Sequence, residues 1–190
     1  MQDQQPATIA DAVALTFMGV RRGKWPKARK AAMEAFFERV AFKGTAEWKE
    51  EVVYLDPKPG DGVKTTFPDG SPAVLEPDQD PRKTFANWLI SPKNPWFAKN
   101  IANRTWSWFM GRGVIHEPDD LRPDNPPVNP ELLAFLEKEL VKSNYDLRHI
   151  YKLILTSQTY QLSSMPRSSD PRAEALFAVY PLRRLEAEVL

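Results

Sequence analysis

The segment spanning residues 94–120, NPWFAKNIANRTWSWFMGRGVIHEPDD, constrains the fold most, because it holds three of the six tryptophans in one short stretch. Asn94 and Pro95 form a helix-start signal, since an Asn side chain caps free backbone N–H groups and Pro needs no donor in the first turn. Gly111 predicts the helix end, because Gly adopts the left-handed C-cap conformation without steric cost. Apolar residues at helical spacing predict a buried, aromatic-rich stripe on this helix. Its members are Phe97, Ile101, Thr105 and Trp108.

The composition argues against several classes of function. The 26 basic and 25 acidic residues give a net charge of +1, which supplies no field that would require nucleic acid or an anionic membrane as a partner. The absence of cysteine rules out disulfides, thiolate zinc sites, cysteine nucleophiles and covalent haem attachment. No apolar run approaches the roughly 20 residues that cross a bilayer, and the first residues lack the pattern of a signal peptide. We therefore expect no nucleic-acid partner, no membrane span and no cofactor.

Helical periodicity predicts a mainly α-helical protein, a helical bundle-like domain with a small antiparallel β-hairpin insert. Residues 50–56 and 62–67 predict the hairpin, because both are rich in β-branched and aromatic side chains and flank a turn-rich segment. A brief strand is expected at residues 73–75. Besides the central helix, the predicted helices span residues 9–18, 27–42, 82–90, 130–142, 147–162, 174–180 and 182–190.

The acidic, proline-bearing segment EPDQDP at residues 76–81 is typical of a linker. It divides the chain into residues 1–75, with helices and the hairpin, and residues 82–190, an α-helical domain. The final RRLEAEVL stops inside a helical pattern without a cap, which predicts that the second domain is truncated at its end.

The sharpest polar cluster follows the central helix and contains four candidate catalytic residues. They are His116, Glu117, Asp119 and Asp120. Two carboxylates and a histidine can coordinate a divalent metal or divide acid and base roles, and catalytic groups often lie on loops. However, HEPDD lacks the i, i+4 spacing of HExxH, and adjacent aspartates equally pair with arginines or cap turns. The structural interpretation is therefore favoured, and no metal site is assigned.

Four further residues are candidates for binding. They are Asn103, Arg104, Trp108 and Arg112. Arg104 lies among aromatic residues, where a partly buried guanidinium needs a carboxylate partner. Because Asp119, Asp120 or Glu186 can supply that carboxylate, a structural ion pair is favoured over ligand recognition. Arginine beside aromatic rings is also typical of platforms for single-stranded nucleic acid, but no basic stripe accompanies these rings.

The motifs NPWFAKNIANRTW, FMGRG, PDDLR and NPELL lie within residues 80–190, which end in RRLEAEVL. Through these motifs, residues 80–190 resemble the C-terminal domain of the planctomycete-type cytochrome-associated proteins. Upstream, TFMGV, AAMEAFFERV and EVVYLDPKPG look like the end of the preceding domain in such proteins.

These relatives are large secreted bacterial proteins built from paired domains of unknown function. The resemblance therefore implies a secreted or periplasmic location, with other domains of a larger parent protein as partners. Many relatives carry a CxxCH-type segment, suggestive of c-type haem, where this chain has VRRGKWPKARKAAM. Without cysteine, the haem motif is absent here.

The first hypothesis for function is a structural or interaction scaffold, because the residues supply a dense aromatic core and no complete catalytic constellation. An alternative is an extracellular hydrolase acting on a polysaccharide through the Arg112–Asp120 loop, since carboxylates lie there beside aromatic rings that can stack on sugars. A further alternative is support for an electron-transfer haem domain in the parent protein. The sequence leaves open whether the chain is an enzyme.

Overall fold

The computed structural model describes residues 5–45, 51–57, 62–165 and 169–182. The chain forms two units. The first comprises Met1–Thr16 with Arg21–Asn94, and the second comprises Phe17–Val20 with Pro95–Leu190. The domain division at residues 76–81 stays a prediction.

The fold is mixed α and β, so the expectation of a mainly α-helical, bundle-like protein with one hairpin insert is wrong. Six α-helices and two separate two-stranded antiparallel sheets occur within the described residues. The strands are β1 (Val40–Gly44), β2 (Glu51–Leu55), β3 (Val63–Thr66) and β4 (Pro72–Leu75).

The pairing of the strands differs from the predicted hairpin. Strand β2 pairs with β1, with Leu55 opposite Val40, and β3 pairs with β4, with Val63 opposite Leu75. The residues expected to pair with each other thus belong to different sheets. The turn at PDGSP and the short strand after it are confirmed by β3 and β4.

The helix expected over residues 27–42 is shorter than predicted. Its last residues belong instead to β1, which is why the sequence did not predict the strand that pairs with β2. Helix α2 (Lys27–Glu34) ends before the turn that buries Phe36 and Phe37. Val40 and Phe42 then belong to β1. Over so few residues, apolar spacing alone does not distinguish a continuing helix from a strand, whereas β-branched and aromatic side chains favour the strand.

A buried arginine joins the two N-terminal helices of the first unit. Helix α1 (Pro6–Val13) precedes a π-helical turn, Ala14–Met18. Arg22 is only 3% exposed and donates hydrogen bonds to Asp11 Oδ1 at 2.8 Å and Glu34 Oε1 at 3.2 Å. Because an unpaired buried charge costs several kcal/mol, these carboxylates are required partners.

Helix α3 (Pro81–Leu89) contributes to an aromatic cluster in the first unit. Its first turn is capped by Asp80, whose carboxylate accepts from the backbone N–H of Arg82 at 3.0 Å. The cluster rings have centroids 5.0–5.2 Å apart and belong to Phe36, Phe67, Phe85 and Trp88.

Three helices that pack on one another form the second unit: α4 (Phe97–Met110), α5 (Pro130–Lys142) and α6 (Leu147–Leu155). The predicted starts of α5 and α6 are confirmed. Asn129 accepts from the N–H of Leu132, and Asp146 accepts from the N–H of Arg148, each at 2.9 Å. The core between the helices includes Ala102, Trp106, Met110, Leu133, Leu136, Leu140, Ile150 and Ile154.

The central helix ends where predicted, because Gly111 has a φ of +73° and caps Met110. It begins later than expected, with Trp96 as the N-cap. The predicted buried stripe is wrong at Trp108, which is 58% exposed, whereas Trp106 is 2% exposed. The aromatic residues of this helix lie on more than one of its faces, so their spacing alone did not show which face is buried.

Two other predicted helices differ. The helix expected over residues 147–162 ends at Leu155, and residues 156–161 form turns and a bend. Residues 174–179, expected to be helical, form turns and bends, and the helix expected at residues 182–190 lies outside the described residues apart from Leu182. No helix in the described part of the chain is long and apolar enough to cross a membrane.

Candidate functional site

The loop that follows α4, residues 111–120, is fixed from its first residues by close backbone packing. We call it the acidic loop. A Cβ atom added to Gly113 would lie 2.2 Å from the carbonyl oxygen of Ile115 and 3.0 Å from Nδ2 of Asn103. Since no side chain tolerates such approaches, glycine is required at this turn.

Asn103 connects α4 to the acidic loop and is fully buried. Its Nδ2 donates to the carbonyl oxygens of Ile115 at 3.0 Å and Pro118 at 3.2 Å, while its Oδ1 accepts from the N–H of Ile115 at 2.8 Å. The side-chain amide of Asn103 therefore bonds both the N–H and the carbonyl oxygen of Ile115, as the backbone of a neighbouring strand would. Asn103 was a candidate for ligand binding, and the structure places its polar atoms against backbone instead.

The two aspartates of the acidic loop each pair with an arginine. Arg104 Nε lies 2.5 Å from Asp119 Oδ1, and Asp119 is one of the three carboxylates that the sequence offered as its partner. Arg122 contacts Asp120 with both Nε at 2.6 Å and Nη2 at 2.8 Å. The bonds that Arg122 donates to Asp120 raise the pKa of this arginine. Both carboxylates therefore already accept charge-assisted hydrogen bonds.

His116 and Glu117 are exposed and pair with each other, with 3.2 Å between His116 Nε2 and Glu117 Oε1. The four candidate catalytic side chains thus form three separate pairs, two of them with arginines. Within the described residues, no three His, Asp or Glu side chains are arranged to hold a metal ion.

The remaining candidates for binding lie apart from those pairs. Arg112 is half-buried, and its Nε is shielded from solvent without a hydrogen-bond partner in the described ranges. Trp108 is exposed. Glu186, the third carboxylate considered for Arg104, lies outside the described residues.

A cavity of about 490 Å³ lies beside the acidic loop, between α4, α5 and the proline-rich segment 121–130. We call it the proline groove. Its walls are mainly apolar, and its polar groups are few. The residues that define it include Pro95, Trp96, Lys99, Asn125, Pro126, Pro127, Pro130, Leu133 and Glu137. Pockets of roughly 300–1,000 Å³ with this composition are typical small-molecule sites.

Glu137 is the electrostatically distinctive residue of the proline groove. Burial raises the pKa of its carboxyl group, and the positive charge of Lys99 opposes that shift. Burial likewise raises the pKa of Tyr145, with a contribution from the charge of Glu137. A poorly solvated carboxyl group in a cleft is a recognised mark of a functional site.

Sequence reasoning missed the proline groove, although one signal was readable. Glu137 follows the buried Leu133 by four residues and precedes the buried Leu140 by three, so helical spacing places its carboxyl group near the inward face. Lys99 and Asn125 carried no comparable signal, since their proximity depends on how α4 and the proline-rich segment pack.

Comparison with known proteins identifies the second part of the chain. Residues 81–190 match the family model of PSD1, described as a protein of unknown function (DUF1553). Neither a curated protein nor a solved structure matches the chain.

Proposed function

We propose a function from the premise that the chain belongs to PSD1, the family of unknown function DUF1553. Its role is that of a non-catalytic structural and interaction domain within a larger protein. The pairing of both loop aspartates with arginines carries this proposal, because Asp119 and Asp120 are the groups on which a catalytic role for this loop would depend.

The acidic loop fits a structural role because its contacts run to backbone and to neighbouring ion pairs. Asn125 donates to the carbonyl oxygens of His116 at 3.2 Å and Asp120 at 2.9 Å, in addition to the bonds that Asn103 makes. The N–H of Leu121 donates to the carbonyl oxygen of Gly19 at 2.8 Å. A loop with so many backbone bonds holds the proline-rich segment in place.

The parent protein in this proposal is of the planctomycete type, cytochrome-associated, and secreted or periplasmic. The motifs NPWFAKNIANRTW and FMGRG support this assignment through their resemblance to such proteins. Other domains of the parent are then the expected partners. Support for an electron-transfer haem domain is tested by the absorbance spectrum of the intact parent, where a Soret band is required.

The polysaccharide hydrolase remains the alternative, but its use of the acidic loop has weaker support. Retaining and inverting hydrolases both need a pair of carboxyl groups that flank the scissile bond. In the acidic loop, the carboxylates of Asp119 and Asp120 are instead bound by Arg104 and Arg122.

The test uses the full-length parent protein with the substitutions Asp119→Asn and Asp120→Asn. Glycan cleavage by the parent is measured through released reducing ends, alongside thermal unfolding. A non-catalytic domain predicts that both variants lower stability by about 1 kcal/mol or less and leave any cleavage rate unchanged. A loss of cleavage by about 100-fold in folded variants would contradict the proposal.

Metal content gives a second test on the purified chain. We expect no stoichiometric divalent metal after dialysis, measured by atomic emission. A metal retained at one equivalent and lost on His116→Ala or Asp119→Ala would assign the acidic loop to metal binding instead.

A further inference from the structure

We propose that the proline groove binds a neutral carbohydrate chain, with one sugar ring stacked on Trp96 and its hydroxyl groups bonded to Lys99 and Glu137. The inference rests on the proposed interaction role and names the class of partner. It places ligand binding in the proline groove, apart from the acidic loop that the sequence favoured.

The shape and rigidity of the groove suit a ring-shaped ligand. Pro95, Pro126, Pro127 and Pro130 contribute walls whose backbone φ angles are fixed by the pyrrolidine ring. Trp96 is half-buried and lines the same cavity. The electron-rich face of an indole attracts the slightly positive C–H groups on the apolar side of a sugar ring. A preformed apolar wall also lowers the ordering cost of binding.

The two charged residues of the groove are available to a ligand. Within the described residues, neither Lys99 nor Glu137 makes a hydrogen bond or an ion pair, although the lysine charge opposes the rise that burial causes in the pKa of the carboxyl group. An ammonium donor and a carboxylate acceptor therefore lie near each other without direct contact. A hydroxyl group can satisfy both, because it accepts through its lone pairs and donates its proton.

The charge pattern selects against ionic ligands. Glu137 opposes an anion and Lys99 opposes a cation, while the guanidinium of Arg122 is already engaged by Asp120 and Asp124. Asn125 adds a neutral contact, since its Nδ2 is used within the loop while no described residue donates to its Oδ1. Donors and acceptors without net charge, beside an aromatic face, match a polyhydroxylated neutral ring.

The experiment titrates the purified chain with neutral oligosaccharides by isothermal calorimetry. The probes are cellopentaose, xylopentaose, mannopentaose and maltopentaose. Binding of at least one probe is expected, and Trp96→Ala should weaken it by about 30-fold, as for a central aromatic contact. Glu137→Gln and Lys99→Met should each weaken it by about three- to tenfold, because each removes one charge-assisted hydrogen bond.

Matched variants on α5 serve as controls. Glu131→Gln removes an exposed carboxylate from the first turn, and Phe135→Ala removes a half-exposed ring that does not line the groove. Both should bind the oligosaccharide as the unmodified chain does. Circular dichroism verifies folding, and if Trp96→Ala proves unfolded, Glu137→Gln and Lys99→Met decide the result.

Three outcomes would overturn the inference. They are the absence of binding to every oligosaccharide, binding that survives Glu137→Gln and Lys99→Met unchanged, and preferential binding of a polyproline peptide in the same titration. None of these outcomes concerns catalysis. The non-catalytic role is tested separately, by glycan cleavage in the parent protein, so failure of the one proposal is distinguishable from failure of the other.

Discussion

Replacing Asn103 with Ala removes the three hydrogen bonds that its side-chain amide makes with the acidic loop. The change leaves the N–H and the carbonyl oxygen of Ile115 without their partner in a buried position, since Ile115 is only 4% exposed. The carbonyl oxygen of Pro118 also loses its bond, but Pro118 is half-buried and water can replace the lost donor.

The expected loss of stability follows from the number of hydrogen bonds that the substitution removes. Each contributes about 1 kcal/mol net, and a buried group left unpaired costs somewhat more, so Asn103→Ala should lower the free energy of unfolding by about 3 kcal/mol. That loss is a large part of the roughly 5–15 kcal/mol by which folded domains are stable. For a chain of this length it corresponds to a decrease in Tm of about 6–12 °C.

Urea unfolding followed by tryptophan fluorescence measures the change, and hydrogen exchange at the Ile115 amide localises it. Exchange at that amide should accelerate by about 100-fold, which is the same free energy expressed as a rate. Asn125→Ala is the matched control, because it also removes two bonds to loop carbonyls but at a half-exposed site. A loss below about 1 kcal/mol in Asn103→Ala, or equal losses in both variants, would refute the reasoning.

Three further changes probe the second unit. Gly113→Ala should destabilise the chain by about 1–3 kcal/mol, because the new Cβ overlaps the carbonyl oxygen of Ile115; an unchanged Tm would contradict the packing. Asn129→Ala should cost about 1 kcal/mol through loss of the α5 cap, read from urea unfolding. The hydrogen bond with His149 lowers the pKa of Glu139, so the stability it adds is present above the unfolded-state pKa and is lost as the pH falls through the folded-state pKa. Stability measured against pH should therefore show a smaller acid-side decrease in Glu139→Gln than in the unmodified chain.

Three signals that depend on a few adjacent residues predicted local structure correctly, whereas the Asn94 cap did not, because α4 begins at Phe97. The cap residues Asn129 and Asp146 and the left-handed Gly111 each lie where the sequence placed them. Each works through a hydrogen bond or a backbone angle within one turn, so neighbours in sequence determine the result. Tertiary packing did not alter any of them.

Features set by distant partners could not be predicted in the same way. Residues 40–44 become strand β1 because residues 51–55 pair with them, and spacing within residues 27–42 contains no information about that partner. The inward face of α4 was ambiguous for a similar reason. Which of Trp106 and Trp108 is buried depends on where α5 and α6 lie, and aromatic residues alone do not specify it.

The same distinction applies to the candidate site: its local features could be predicted from the sequence, and its long-range features could not. The sequence identified the acidic loop and favoured an ion pair for Arg104, with Asp119, Asp120 or Glu186 as the partner, and the structure contains the pair with Asp119. The proline groove was missed because Lys99, Asn125 and Glu137 come from three separate segments. Only the helical spacing of Glu137 from Leu133 indicated a carboxyl group near the core.

The acidic loop is therefore a poor guide to the ligand site in this chain. Asp119 and Asp120 of the acidic loop are bound by Arg104 of α4 and by Arg122 of the proline-rich segment. Asn125 links the two regions, since its amide nitrogen holds the carbonyl oxygens of His116 and Asp120 while the residue lines the groove. Charges already engaged in holding a loop cannot also recognise a ligand without losing those bonds. Lys99 and Glu137 are not so engaged within the described residues, and for that reason recognition is better sought in the groove.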